Sequence, residues 1–201
     1  MNKIITVGRE FGSGGREIGR RLAEKIGFAY YDNEIITEIS KKTDLSEQYV
    51  QNIVEKKPII SYPIHIGGTF YSMPSLQIDQ STVIYREQCN ILREMAERSD
   101  CVIVGRCADY ILRDYKPFRI FVYADIESKI ARCRHKGGEN ENLSDSELKR
   151  KIKLVDKNRS DYYKFYTNQK WGDKLNYDMC VNTTNEDIKN IVECISKMYI
   201  K

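Results

Sequence analysis

This chain is short of the residues that build metal and disulfide sites. It has two histidines, His65 and His135, and its six cysteines include no C-x-x-C pair. So little histidine and no cysteine cluster argue against a zinc centre. The cysteines read as reduced, buried thiols of a cytoplasmic protein. No apolar run is long and clean enough to span a bilayer. The stretch 58–78 carries no formal charge, but proline, glycine, serine and glutamine break it throughout. A core strand begins within the first residues, which leaves no room there for a targeting peptide. Neither sign of charge dominates. A net charge of +4 suits small anions and makes no case for nucleic acid or a membrane surface.

One further absence matters more. Ile4 to Val7 reads as a buried strand that runs into Gly8-Arg-Glu-Phe-Gly12-Ser-Gly14-Gly15, and an amphipathic helix follows with Ile18, Leu22, Ala23 and Ile26 on one face. Strand, glycine loop and helix form an anion cradle, because bare backbone N–H groups approach the oxygens and the helix N-terminus adds positive potential. A phosphate-transferring loop of the form G-x-x-x-x-G-K-[ST] has lysine after its last glycine. Here Gly15 follows Gly14, and Arg16 comes next. Glu10 inside the loop would repel phosphate unless it points away or pairs with Arg9 or Arg16.

The 201 residues suit one domain, and 41% hydrophobic with 31% charged residues is ordinary for a globular chain. Strands are expected at Ile4–Val7, Phe28–Tyr31, Cys101–Val104, Phe118–Tyr123 and Asp178–Val181. Helices are expected at Gly14–Lys25, Glu34–Lys42, Ser46–Lys57, Ser81–Arg98, Ile126–Lys136, Asp145 to about Tyr166, and Glu186–Met198, with Ser144 and Glu147 as a capping box. This alternation predicts an α/β fold, a five-stranded parallel sheet flanked by helices. The uncharged segment 58–78 reads as a substrate flap or as a contact between subunits of a homo-oligomer.

Three further groups of residues carry candidate chemistry. Gly105-Arg106-Cys107-Ala108-Asp109 follows a buried strand, at the sheet edge where α/β proteins bind ligands, and Arg106 can grip a phosphate bidentately. Arg132 and Arg134 precede the polar break 137–142, so a hinged segment could bring them over a phosphoryl group. Asp156 and Arg159 share a helical face, and Asp156 is placed to orient Arg159.

With these residues in view, the chain resembles the cytidylate kinase-like family, within the nucleoside monophosphate kinase fold. The resemblance rests on Ile5-Thr-Val-Gly-Arg-Glu-Phe-Gly-Ser-Gly-Gly-Arg16, Phe28-Ala-Tyr-Tyr-Asp32, Val104-Gly-Arg-Cys-Ala-Asp-Tyr110, Asp156-Lys-Asn-Arg159-Ser-Asp-Tyr-Tyr163 and Tyr177-Asp178. It implies a single P-loop domain over 1–201, with an acceptor-binding insert at about 33–80 and a lid at about 132–165. The implied reaction transfers the γ-phosphoryl of ATP to CMP or dCMP with Mg2+. It implies ATP binding by Gly12, Ser13, Gly14, Gly15 and Arg16, acceptor binding by Asp32, Arg106, Asp109, Asp156 and Arg159, and catalysis by Arg16, Arg132 and Arg159. The chain departs from that pattern in four places. Gly15 stands for the catalytic lysine, Arg16 for the metal-binding hydroxyl, Cys107 for the Asp of Gly-Arg-Asp, and Ile152 for a further arginine. Arg16 can reach phosphates in lysine's place, while magnesium would need Ser13, Asp32 or water. A non-catalytic nucleotide binder on the same fold is the main alternative. A short-chain dehydrogenase, suggested by the glycine spacing and Tyr166-x-x-x-Lys170, is the weaker one.

Overall fold

The computed structural model describes residues 2–54, 76–136 and 143–199, with residues 76–79 described by backbone alone. The expected flap or subunit contact therefore lies almost wholly outside the described residues, as does the polar break 137–142.

Five strands form one parallel sheet: β1 Ile4–Arg9, β2 Ala29–Tyr31, β3 Cys101–Val104, β4 Phe118–Tyr123 and β5 Met179–Asn182, in the order β2-β3-β1-β4-β5. Ile5, Val7, Val102, Val104, Ile120 and Val122 pack with helix α1 (Gly15–Ile26) and α8 (Ile188–Tyr199) through Ile18, Leu22, Val192 and Ile195. Ile4, Cys101 and Ile103 pack on the other side with α2 (Glu34–Thr43), α3 (Glu47–Val54), α4 (Leu76–Arg98) and α7 (Asp145–Thr167). Covering both faces explains why β3 is a continuous apolar run and why Ile4 to Val7 of β1, Thr6 included, are all buried rather than alternating. β3 lies between β2 and β1, so the sheet lacks the 3-2-1 order of dinucleotide-binding folds, and the dehydrogenase alternative loses its scaffold.

Most expected element ends agree to within two residues, as at β3, β4 and α6 (Ile126–Lys136). Three do not. α3 is described only as far as Val54, because 55–57 lie outside the described residues. α4 is already helical at Leu76, where description resumes, rather than from Ser81. The four-residue helix α5 (Ala108–Ile111) was not foreseen, being too short to show a period. The capping box holds at α7: Glu147 N–H donates to Ser144 Oγ at 3.3 Å, and Ser144 N–H donates to Glu147 Oε2 at 2.8 Å. The reading of the cysteines needs correction. Cys101, Cys107 and Cys133 are buried and Cys89 is half-buried, but Cys180 and Cys194 are exposed. The two exposed residues sit on outward positions of β5 and α8, where apolar neighbours in sequence say nothing of which face a side chain takes.

Candidate functional site

Parallel strands bring all their carboxyl ends to one edge. The loop after β1, Asp32 after β2, and Gly105-Arg106-Cys107 after β3 therefore meet, with Gly105 N–H bonded to Val7 O at 3.0 Å. Gly14 caps α1 in the left-handed region with no side-chain bond, which leaves the first-turn N–H groups facing the loop. A side chain at Gly14 would meet Ile188 Cδ1 at 2.7 Å as well as the backbone strain of φ +84°.

Above this loop lies a cavity of about 370 Å³, whose walls include Gly12, Gly14, Gly15, Arg9, Arg16, Arg132, Lys136 and Arg159. That volume falls in the range of small-molecule sites. Arg132 Nη2 donates to Thr183 O, which anchors the residue, while its Nη1 is buried with no hydrogen-bond partner among the described residues. Burial pushes the Arg132 guanidinium below its ordinary pKa, so an anion would be welcome there. Arg159 reaches from α7, donating to Arg9 O at 3.3 Å, with its guanidinium 5.8 Å from the Phe11 ring centre. Arg134 is elsewhere: it ties α6 to the start of α7 through Asp145 Oδ1 at 2.9 Å.

Several expected partners are replaced by others. Glu10 pairs neither with Arg9 nor with Arg16 but with Lys129, its Oε2 lying 2.5 Å from Nζ. Lys129, 8% exposed, also holds Asp156 Oδ2 at 3.1 Å. Asp156 Oδ1 accepts Phe11 N–H at 2.6 Å, so what Asp156 orients is the loop itself. Burial raises its carboxyl above the ordinary value, against the Phe11 and Lys129 bonds. Glu10 also lines the loop cavity, so in the group Glu10–Lys129–Asp156 the lysine neutralises an acidic residue of the cradle wall. Lys129 was not legible in the sequence, where it looks like any helix-surface lysine. Ile152, in an arginine's place, is core: it packs with Cys133, Leu148 and Phe11 and joins α7 to α6 and the loop.

Asp32 is buried between two arginines. Arg16 Nε lies 2.5 Å from Oδ2 and Arg9 Nη2 lies 3.4 Å from Oδ1. Arg16 keeps 55% of its side chain exposed. The Ser13 hydroxyl faces inward and donates to Glu10 O at 2.9 Å. The two side chains expected near a magnesium ion, Ser13 and Asp32, are thus an inward hydroxyl and a carboxylate held by two arginines. Among the described residues no three His, Cys, Asp or Glu side chains cluster as a metal site. This donor set does not fit direct coordination of magnesium by the protein.

On the β3 side a second, smaller pocket of about 50 Å³ is lined by Arg9, Arg106, Asp109, Arg159, Tyr162, Tyr163, Trp171 and Tyr177. Arg106 is buried rather than a surface residue, and with Gly105 and Cys107 it makes three successive left-handed residues, a turn that delivers its side chain inward. Asp109 accepts the Tyr163 hydroxyl at 2.6 Å; burial raises its carboxyl and this bond opposes the rise. Burial also drives the Cys107 thiol well above its ordinary pKa, so it stays neutral where a carboxylate was replaced. Tyr166, half of the Tyr-x-x-x-Lys spacing, stacks on Tyr85 with ring centres 3.8 Å apart and bonds Ser81 O, which occupies it structurally.

Comparison with known proteins agrees with the fold. The cytidylate kinase-like family model matches residues 4–185. An uncharacterized protein from Eubacterium ventriosum, known from a crystal structure, is 28% identical over 98% of both chains, with a TM-score of 0.70. A shikimate kinase from Bacteroides thetaiotaomicron is 15% identical over 99% of both chains, with a TM-score of 0.59. A shikimate kinase from Acinetobacter baumannii, solved with shikimate, is 17% identical over 100% of this chain and 93% of its own, with a TM-score of 0.54. The two shikimate kinases share the fold. No curated protein matches the chain.

Proposed function

Because the chain belongs to the cytidylate kinase-like family, we propose that it is a phosphotransferase that moves the γ-phosphoryl of ATP to CMP, dCMP or a related monophosphate. The observation that carries this reading is the loop cavity, where a helix N-terminus without a side-chain cap and the arginines Arg132 and Arg159 converge on a space of about 370 Å³. Gly12, Ser13, Gly14 and Gly15 offer backbone to the donor phosphates, with Arg16 at the rim. Arg106 takes the acceptor phosphate from the β3 side, and Asp109 with Tyr163 supplies polar recognition beside it. Asp32 and Asp156 act through what they hold, the loop and its arginines.

Phosphoryl transfer asks a protein mainly for position and charge. An acceptor phosphate oxygen attacks the γ-phosphorus, the bond to the β,γ-bridging oxygen breaks, and ADP leaves. Arg159 lines both pockets, so it sits where that charge passes. Magnesium arriving with ATP would neutralise phosphate charge; the arginines are the groups this chain itself contributes.

The test is ADP production from ATP and magnesium with a panel of CMP, dCMP, UMP, AMP and shikimate. CMP or dCMP is expected to turn over, and Arg106→Ala to reduce the rate by about 100-fold, the loss of a bidentate charged contact. The missing loop lysine favours a second reading, a non-catalytic nucleotide binder. Thermal stabilisation by ATP with no turnover on any acceptor would select it.

A further inference from the structure

We propose that Arg9 is the phosphate-holding cation of this loop, having exchanged places with the glycine of an ordinary P-loop. The proposal rests on the nucleotide-site reading above. In G-x-x-x-x-G-K the first glycine and the lysine stand six positions apart. With the last glycine at Gly14, those two slots fall at 9 and 15, and they hold Arg9 and Gly15. Cation and glycine have traded positions.

The geometry explains why they trade together. A Cβ on residue 15 would overlap Arg9 Cβ and lie 3.1 Å from its Cγ. The first obstacle is not the far end of a flexible chain, so only a backbone shift would relieve it. A side chain at 9 therefore requires glycine at 15, and a lysine at 15 requires glycine at 9. The Arg9 side chain then crosses the sheet edge to β3, where a Cβ on Gly105 would overlap its Nη1. Two glycines, one on each side, make its channel.

The channel ends in the right place. Arg9 lines both the loop cavity and the pocket that holds Arg106, as Arg159 does. That shared wall is where a phosphoryl group in transit carries its charge. The ion pair of Arg9 is with Asp32, at 3.4 Å, and Asp32 also holds Arg16 at 2.5 Å. One carboxylate between two arginines, with Arg106 and Arg159 near, leaves the cluster electropositive. Burial and then Arg159 disfavour the charged form of Arg9, with Asp32 opposing. A phosphate anion is the ligand that relieves this cost. Arg16, exposed and bound to Asp32, steers that carboxylate and leaves the central position to Arg9.

The experiment titrates ATP into wild type, Arg9→Met, Arg9→Gly, Gly15→Lys, Arg16→Ala and the double variant Arg9→Gly with Gly15→Lys, and records the melting temperature of each without ligand. Arg9→Met is expected to weaken ATP about 10- to 100-fold, as loss of a charge-assisted contact does, while the ligand-free protein melts at the same or a higher temperature. Arg16→Ala is expected to weaken ATP less than about threefold. Gly15→Lys alone lowers both binding and melting temperature, and the double variant binds ATP at least about fivefold more tightly than Arg9→Gly. The exchange is overturned if Arg9→Met binds like wild type, or if the double variant gains nothing over Arg9→Gly. If wild type itself binds no ATP, the nucleotide-site reading falls and this one with it.

Discussion

Lys129→Met removes the cation that pairs with two carboxylates, Glu10 of the glycine loop and Asp156, which holds that loop through Phe11 N–H. In the folded protein Lys129 Nζ is 2.5 Å from Glu10 and 3.1 Å from Asp156, with Glu10 26% and Asp156 17% exposed. Breaking a fully buried pair on one side costs about 3–5 kcal/mol. Both acids keep other bonds, Phe11 N–H to Asp156 at 2.6 Å and Ala124 N–H to Glu10 at 3.3 Å, and both see some solvent. The cost here is therefore about 2–3 kcal/mol. For a chain of this size that is a fall of roughly 4–12 °C in melting temperature.

The pH dependence is the sharper check. Burial already raises the Asp156 carboxyl, and Lys129 opposes that rise. Without the lysine, the folded-state pKa goes higher still. An acid with a raised folded pKa favours the folded state at low pH and loses that advantage as pH rises through the folded value. The gap between Lys129→Met and wild type should therefore narrow from pH 7 to pH 5, measured by calorimetry or circular dichroism. ATP binding at pH 7 should weaken too, because Glu10, which lines the cavity, loses its neutralising cation. A melting-temperature loss under about 2 °C, or a gap that does not change with pH, would refute the network.

Tyr163→Phe leaves the buried Asp109 carboxylate without its 2.6 Å donor; it should cost about 1.5–3 kcal/mol at pH 7 and less as pH falls through the raised value of this carboxyl. Asp178→Asn tests the opposite sign. The side-chain bond from Arg119 at 2.8 Å holds this carboxyl below its ordinary value, so its contribution is present above about pH 4 and disappears as pH falls through the lowered value. With about a third of the pair exposed, the variant should lose at most ~1 kcal/mol at pH 7, and its acid-unfolding curve should meet wild type once pH falls below the lowered value of this carboxyl. Ser144→Ala removes the cap of α7 and should cost ~1 kcal/mol by denaturant titration, with no change in m-value.

The strands were readable because a sheet covered on both faces needs unbroken apolar runs, and Cys101–Val104 is one. α7 was readable because a capping box is a local pattern. The phosphate loop was readable because glycine spacing reflects backbone demands within a few residues. Asp156 and Arg159 were correctly placed on one face, but their partners were not. Arg159 meets Arg9 O, 150 residues away, and Asp156 meets Phe11 and Lys129. Spacing along a helix says which side chains share a face and nothing about what faces them.

From the chain alone came the class of fold, the strand, glycine loop and helix, and the missing lysine, since each depends on local periodicity or on a short-range motif. The strand order, the burial of Arg106 and the meaning of that missing lysine came only with tertiary structure. Gly15 is empty of side chain because Arg9 lies across it, and Arg9 ends against Gly105, just after β3. That mutual exclusion is a matter of two β-carbons competing for one volume across a turn, and no distance of that kind is written in a linear order of residues.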